Sequence, residues 1–334
     1  MEKFTSIEQF RHVVKTVRDH FSRINSPHLI PTHTFTGTVK LHGTNAGVRR
    51  FHGKFQPQSR ERILDVTSDN YGFAWFITSL DQELLNQLFN QIGVSENDDI
   101  TIYGEWIGKG IQDTVAISQL PGKQWVIYAA KLNGEYISNV ELLNLSHLHQ
   151  FEIYNIYEIP SFSVNVNFKT PEASVAEFEK YTFEVEEQCP WGKKFGIDGM
   201  GEGIVWKCAA EASDSELWFK TKGQKHSKSK VKTVAPVDVE RVNNIRTCVD
   251  VILPEGRLKQ GLEWVTMQEK LEFIPENVGK FLKWVANDVL KEEQDTITEN
   301  GFEWKDVVKE VNTRAREWYF AEMNKEFDNG STTS

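Results

Sequence analysis

Lys40-Leu41-His42-Gly43-Thr44-Asn45 is the stretch on which the reading of this chain turns. Around it, from Phe35 to Phe51, β-branched and aromatic residues predict two strands broken at Gly43. Lys-x-x-Gly says little alone, since it also begins at Lys131, Lys193 and Lys220. Only the run at Lys40 continues into Thr-Asn and is followed in order by further marked elements. These are Arg60, then Gly104-Glu105-Trp106 with Gly108-Lys109-Gly110-Ile111-Gln112, then Val126-Ile127-Tyr128. Glu202-Gly203-Ile204-Val205-Trp206-Lys207 and Lys220-Thr221-Lys222 close the series.

A lysine amine, two carboxylates, an aromatic ring and further cations are the parts needed to attack a nucleoside triphosphate. The attacking amine must be neutral, yet with a pKa near ~10.4 only about one lysine in a thousand is neutral near pH 7.4. Lowering that value by two or three units takes about 3–4 kcal/mol of differential stabilisation, which nearby cations and partial burial supply. Lys220, Lys222 and a bound Mg²⁺ are expected sources around Lys40. Lys220 and Lys222 alternate on a strand and so share a face, where both can reach phosphate oxygens. Glu202 suits a hydrated Mg²⁺, which prefers carboxylate oxygens and keeps its waters. Each residue has a plainer reading alone: Lys40 a surface lysine before a turn, Glu105 a surface carboxylate, Tyr128 a core aromatic, Arg60 an exposed loop arginine. Their order overrides those readings.

The ordered set resembles the covalent nucleotidyltransferases, the superfamily of nucleic-acid ligases and capping enzymes, and in detail the RNA ligase 2 family of phage double-stranded RNA ligases. His42 and Asn45 flank Gly43-Thr44 where DNA ligases usually carry Asp-Gly. The Gly-Glu-Trp-Ile-Gly-x-Gly-Ile-Gln block is close to that family's third motif, and the run from Trp218 to Lys232 is similar to its fifth. The resemblance implies that Lys40 is the nucleophile and that Leu41, His42 and Asn45 lie beside the nucleotide. It further implies that Glu105 holds the ribose hydroxyl, Tyr128 stacks on adenine, and Arg60, selected over Arg62 by its spacing from Lys40, contacts phosphate in later steps. Glu202 is implied as the metal ligand, with Lys207, Lys220 and Lys222 approaching the phosphates. Val39 stands where a polar residue can help read adenine, and Asn70-Tyr71 where two aromatics are common.

At 334 residues the chain is long enough for two domains. Its 39% hydrophobic and 26% charged content excludes neither a sizeable core nor solubility. No apolar run approaches the ~18 residues that would span a bilayer, and the polar start at Met1-Glu2-Lys3 is no secretory signal. Cys189, Cys208 and Cys248, odd in number and without C-x-x-C spacing, point to reduced thiols in a cytoplasm-like compartment, the host cytoplasm if phage-encoded. A net charge of −10 argues against a nonspecific nucleic-acid coat. Between Glu216 and Asp238, however, lysines recur with no acidic residue among them, a local strip that suits docking on a phosphate backbone.

Ser6 with Gln9 reads as a capping box opening a helix to about residue 21, and Ser79 to Ile92 reads as a second helix. Short strands are expected at Ile100–Tyr103, Trp125–Ala129, Ile204–Lys207 and Leu217–Lys220, interleaved with helices as in an α+β fold. After Pro236 long helical periodicity takes over, in Val278, Phe281, Leu282, Val285 and Val289 and again from Phe302 to Phe320. The expectation is an ATP-grasp-like ligase adenylyltransferase domain with mostly antiparallel sheets over 1–236, then a small all-helical domain over 237–334. In that second domain Arg241, Arg246, Arg257 and Lys259 are the expected nucleic-acid contacts. With the resemblance, the expected activity is ATP-dependent sealing of 3′-OH/5′-phosphate nicks in duplex RNA or RNA–DNA hybrid through lysyl-AMP. ATP and Mg²⁺ are the expected cofactors, Mn²⁺ able to stand in, and the expected state is a monomer with no membrane partner. A DNA ligase or capping guanylyltransferase is the nearest rival, but both append an OB barrel where helices are expected here. A catalytically idle RNA-binding module is the other, and it has no need for Lys40, Glu105, Glu202, Lys220 and Lys222 together.

Overall fold

The strand pair broken at Gly43 becomes the joint between two sheets. In the computed structural model, which describes residues 1–95, 97–112, 114–223, 245–299 and 302–330, β1 (Thr32–Lys40) and β2 (Thr44–Phe51) lie in different sheets. Three residues, Leu41 to Gly43, carry the chain across. In the first sheet β1 lies between β8 (Phe162–Asn167) and β9 (Gly203–Cys208), and β10 (Phe219–Lys222) flanks β9, all antiparallel. The second sheet runs β3 (Lys54–Ser59), β2, β4 (Ile100–Ile107), β5 (Gln124–Leu132), β6 (Glu135–Tyr136), with β7 (Ile153–Asn155) parallel to β5. The α+β class with mostly antiparallel sheets is thus as expected.

Side-chain alternation gives the first sheet two unlike faces. On one, Trp206 and Phe219 stack against Phe10 of α1 (Phe10–Arg23) and Phe178 of α4 (Val175–Glu187). The other face is left to carry lysines. The second sheet buries Val48, Ile102 and Ile127 against α2 (Phe73–Ser79) and α3 (Gln82–Asn90), while α5 (Pro190–Lys194) is a short turn leading towards β9.

Two helix boundaries differ from expectation. α1 starts at Phe10 with no side-chain cap at Gln9, although its face of Phe10, Val13, Val14 and Val17 is buried as expected. The Ser6–Gln9 capping box does not form, because the backbone there bonds elsewhere: Glu8 N–H donates to Trp218 O (3.3 Å) and Lys220 N–H to Glu8 O (3.0 Å). The helix expected over Ser79 to Ile92 is α3, which begins later, at Gln82, and a helix the sequence did not suggest, α2, precedes it. α2 ends at Ser79, and Asp81 caps α3 by accepting from Glu83 N–H at 2.7 Å.

The chain divides into two units, Met1–Gly223 and Gln224–Ser334. The expected boundary at Pro236 lies outside the described residues, as do Arg241 and the lysines from Lys225 to Lys232. The described part of the second unit is helical: α6 (Ile245–Ile252), α7 (Glu255–Glu263), α8 (Val278–Glu299) and α9 (Trp304–Gly330), around a core with Phe281, Val285, Val311 and Tyr319. Arg257 corrects an expectation. It is fully buried and ion-paired to Asp288 (2.9 Å) and Glu293 (3.0 Å), so it cannot meet a nucleic acid. Lys259 is exposed and paired to Glu255. The three cysteines are buried free thiols, and among the described residues no helix is long and apolar enough to cross a membrane.

Candidate active site

Glu202 sits just before β9, 3% exposed, and each of its oxygens holds an ammonium. Lys40 Nζ lies 2.6 Å from Oε2 and Lys222 Nζ 2.8 Å from Oε1. The sheet register explains the meeting, since Gly203 of β9 lies opposite both Lys40 of β1 and Lys222 of β10. Gly203 is required there: its φ is +156°, and a Cβ would fall 2.1 Å from Thr221 O. Burial alone would raise the Glu202 pKa, but Lys222, Lys40 and more distant His42 outweigh it and hold the carboxyl well below its usual range. Lys220 is two residues before Lys222 on the same face of β10, opposite the buried Phe219 and Thr221.

Glu105 of β4 reaches the loop after Lys40, where its Oε1 accepts from Gly43 N–H at 3.1 Å. Glycine is demanded at 43 by that close approach, for a Cβ would meet Trp106 O at 2.3 Å and Ile107 Cγ2 at 2.7 Å. Burial raises the Glu105 pKa to about 7; Lys40 opposes the rise, Glu202 adds to it, and Gly43 N–H and Arg60 oppose it further. Asn45 of β2 pairs with Glu105 across the sheet and donates to Tyr128 OH at 2.5 Å. Its Oδ1 is buried with no hydrogen-bond partner among the described residues, an acceptor that a bound donor would satisfy.

Tyr128 owes its placing to an irregularity. Tyr103 pairs with Ala129 and Gly104 with Ile127, so Tyr128 is the extra residue of a bulge in β5. A bulge re-aims a side chain that a regular strand would send elsewhere. Burial, with Glu105 adding, holds the phenol well above its usual pKa. Phe4 stacks edge-on against its ring at 5.2 Å. Phe4 belongs to an N-terminal strap that tethers both sheets: Glu2 O accepts from Gln58 and Tyr103, Thr5 N–H donates to Tyr136 OH, and Glu8 bonds β10. Sequence reading missed this strap, because its contacts span up to 212 residues, from Glu8 to Lys220, and it has no local periodicity.

Lys207 is placed differently from expectation. Its ammonium is buried against Tyr128 O (2.9 Å) and over the Trp218 ring (4.4 Å), four residues along β9 from Gly203, not in the Lys40–Glu202–Lys222 cluster. Burial lowers its pKa to about 8. With the folded value below the unfolded ~10.4, the unfolded chain binds the extra proton between those values, so stability rises with pH through that window. Wild-type protein should therefore gain up to about 3 kcal/mol from this group between pH 8 and 10.4. Urea unfolding of Lys207→Met should lack that part of the rise, whatever the absolute cost of leaving Tyr128 O unpaired. An unchanged pH slope would show that Lys207 is not strained by burial.

Arg60 is exposed at the end of β3, its Nη2 3.5 Å from Thr5 O, and its charge is felt at Glu105 and Tyr128. Leu41 is buried. Asn70, which stands where the resemblance would place an aromatic, donates from Nδ2 to Thr44 Oγ1 at 2.9 Å at the start of β2. Among the described residues no group of three or more His, Cys, Asp or Glu is placed to hold a metal. One buried carboxylate that already neutralises two cations does fit an ion completed by phosphates and water, as magnesium sites commonly are.

A primary amine, cations drawn onto one buried carboxylate and an aromatic ring on the adjoining sheet together define a site for phosphoryl or nucleotidyl chemistry. The chain belongs to the RNA ligase family, whose model matches residues 33–222. Among solved structures it is similar to Naegleria gruberi RNA ligase with PPi, at 17% identity and a TM-score of 0.44, over 67% of this chain and 56% of that one. A variant of that ligase with ATP and Mn gives 15% identity and 0.42 over 66% and 55%; one with AMP and Mn gives 16% and 0.43 over 67% and 56%. The chain thus spans a little over half the length of those ligases. No curated protein matches it.

Proposed function

We propose that this chain is an ATP-dependent RNA ligase of the RNA ligase 2 type, sealing 3′-OH/5′-phosphate nicks in duplex RNA or RNA–DNA hybrid. The observation that carries the reading is the shared hold of Lys40 and Lys222 on buried Glu202, with Glu105 fixing the loop between Lys40 and Asn45. In the first step Lys40 leaves Glu202, loses a proton and attacks the α-phosphorus of ATP. The N–P bond forms as the bond to pyrophosphate breaks. Lys222 and Lys220 face the departing charge, and electrostatic neutralisation is the main demand of such transfers. A 5′-phosphate oxygen then attacks the phosphoramidate, which frees Lys40 and gives a 5′-adenylylated end. The 3′-OH attacks that end, and AMP leaves.

Glu202 is the proposed holder of Mg²⁺, or Mn²⁺ in its place, and a divalent ion there would neutralise phosphate charge. Tyr128 is the stacking ring and Asn45 Oδ1 an acceptor for the nucleotide. The helical character of the described second unit favours this reading over a DNA ligase or capping enzyme.

Incubation with α-labelled ATP and Mg²⁺ should label the protein covalently, and α-labelled GTP should not. Labelling by GTP alone would favour capping chemistry, and labelling by neither would refute covalent transfer. Arg60→Ala should lower sealing of 5′-phosphorylated nicks at least tenfold while lowering labelling less than threefold, because Arg60 lies outside the Glu202 cluster. Equal losses would make Arg60 a nucleotide residue.

A further inference from the structure

The second unit, read from Val239 onward, is acidic, with 19 Asp and Glu against 13 Lys and Arg. One of its surfaces runs against that balance. An open groove of about 520 Å³ is lined by Trp264, Lys280, Lys283, Trp284, Asn287 and Lys291. Its two acidic members are already engaged, Glu269 with Lys280 at 3.2 Å and Asp288 with Arg257 at 2.9 Å. Lys283 and Lys291 are exposed, and neither is ion-paired to a described residue. They lie eight residues apart on α8, about 12 Å along its axis, so each can meet a different phosphate, with the amide of Asn287 between them. Trp264 opens a turn of π-helix, Trp264–Gln268, closed by Glu269 N–H on Trp264 O at 3.0 Å. Single turns of π-helix are frequent at functional sites, and this one ends α7. Trp284 packs at Gly261, where a Cβ would stand 3.0 Å from its ring.

We infer that this groove binds a strand of RNA, its phosphates on Lys283 and Lys291 and a base or ribose face against the tryptophans. Cations alternating with aromatic rings match a polynucleotide, which offers regular negative charge and flat faces together. An acidic protein segment would use the lysines but has no evident need for two indoles. The inference rests on the RNA ligase reading above, and it moves the nucleic-acid contacts of this unit away from Arg257.

The test uses the full chain and fluorescent 5′-phosphorylated RNA as nicked duplex, intact duplex and single strand, with anisotropy followed over a KCl series. Lys283→Ala/Lys291→Ala should bind at least one form about tenfold more weakly. Its slope of log affinity against log salt should be shallower by about 1.5, since each neutralised phosphate contributes roughly 0.7–0.9. Trp264→Ala should weaken binding without changing that slope. A control on exposed lysines outside the groove, Lys305→Ala/Lys309→Ala, should match wild type, and all variants should form lysyl-AMP normally. Wild-type affinity and slope for the Lys283/Lys291 variant with all three RNAs would overturn the groove, as would a control that weakens binding equally. A wild-type chain that binds RNA but never forms lysyl-AMP would instead defeat the ligase reading and leave the groove standing.

Discussion

Lys40→Arg should reduce covalent labelling from ATP by at least about a thousandfold, to background. The substituted guanidinium keeps the positive charge and can still pair with Glu202, bidentately if the geometry allows. The fold should therefore be little affected, with a change in unfolding free energy below about 1 kcal/mol, as is usual where no cavity or unpaired charge is created. What is lost is the free electron pair, because a guanidinium stays protonated at any working pH. Lys40→Arg should nonetheless seal RNA supplied already adenylylated at its 5′ end to within about tenfold of wild type, since the last step uses the 3′-OH as nucleophile. Covalent labelling that survives in Lys40→Arg would move the nucleophile to another lysine, with Lys222, the second cation on Glu202, the first to test. Loss of both activities together would show that Lys40 also positions the RNA end.

The parts of the site that lie on regular strands were legible in the sequence. Lys220 and Lys222 share a face because a strand alternates, whereas the meeting of Lys40 with Glu202 follows from the pairing of β1 with β9, which no local signal gives. What was not legible depends on departures from regularity or on distant contacts. Tyr128 read as a strand aromatic with Val126 and Ile127, and only the bulge in β5 separates it from a core residue. Ser6 and Gln9 carry the pattern of a capping box, but pairing of Glu8 with β10, some 210 residues on, claims the backbone. Lys207 fits the spacing of a phosphate ligand, yet its position along β9 sets it beneath Tyr128. The same limit applied to Arg257. Its charge suggested a surface contact, whereas its partners lie 31 and 36 residues away on α8, beyond any local signal.

Arg257→Ala should be the most destabilising single change in the second unit. The guanidinium is wholly buried, donates to Ile252 O, and is ion-paired to Asp288 and Glu293, the latter itself wholly buried. Thr296 Oγ1 donates to the other oxygen of Glu293 at 2.9 Å. Removing the arginine takes from both carboxylates the guanidinium they share, and breaking a buried pair from one side typically costs about 3–5 kcal/mol. That is a large share of the roughly 5–15 kcal/mol by which domains are stable. Because α8 and α9, of 22 and 27 residues, belong to this unit, its loss should appear as an early fall in helical circular dichroism on heating the full chain. Lysyl-AMP formation should persist, since every residue proposed for it lies in Met1–Gly223. Arg257→Met/Asp288→Leu/Glu293→Met should recover much of the stability, because replacing a buried ion cluster with apolar groups of similar volume is often neutral or favourable. Nick sealing by that triple variant then separates two roles. Restored sealing makes the cluster a structural brace of the helical unit. A stable triple variant that forms lysyl-AMP but leaves nicks open would show that sealing requires the charges themselves.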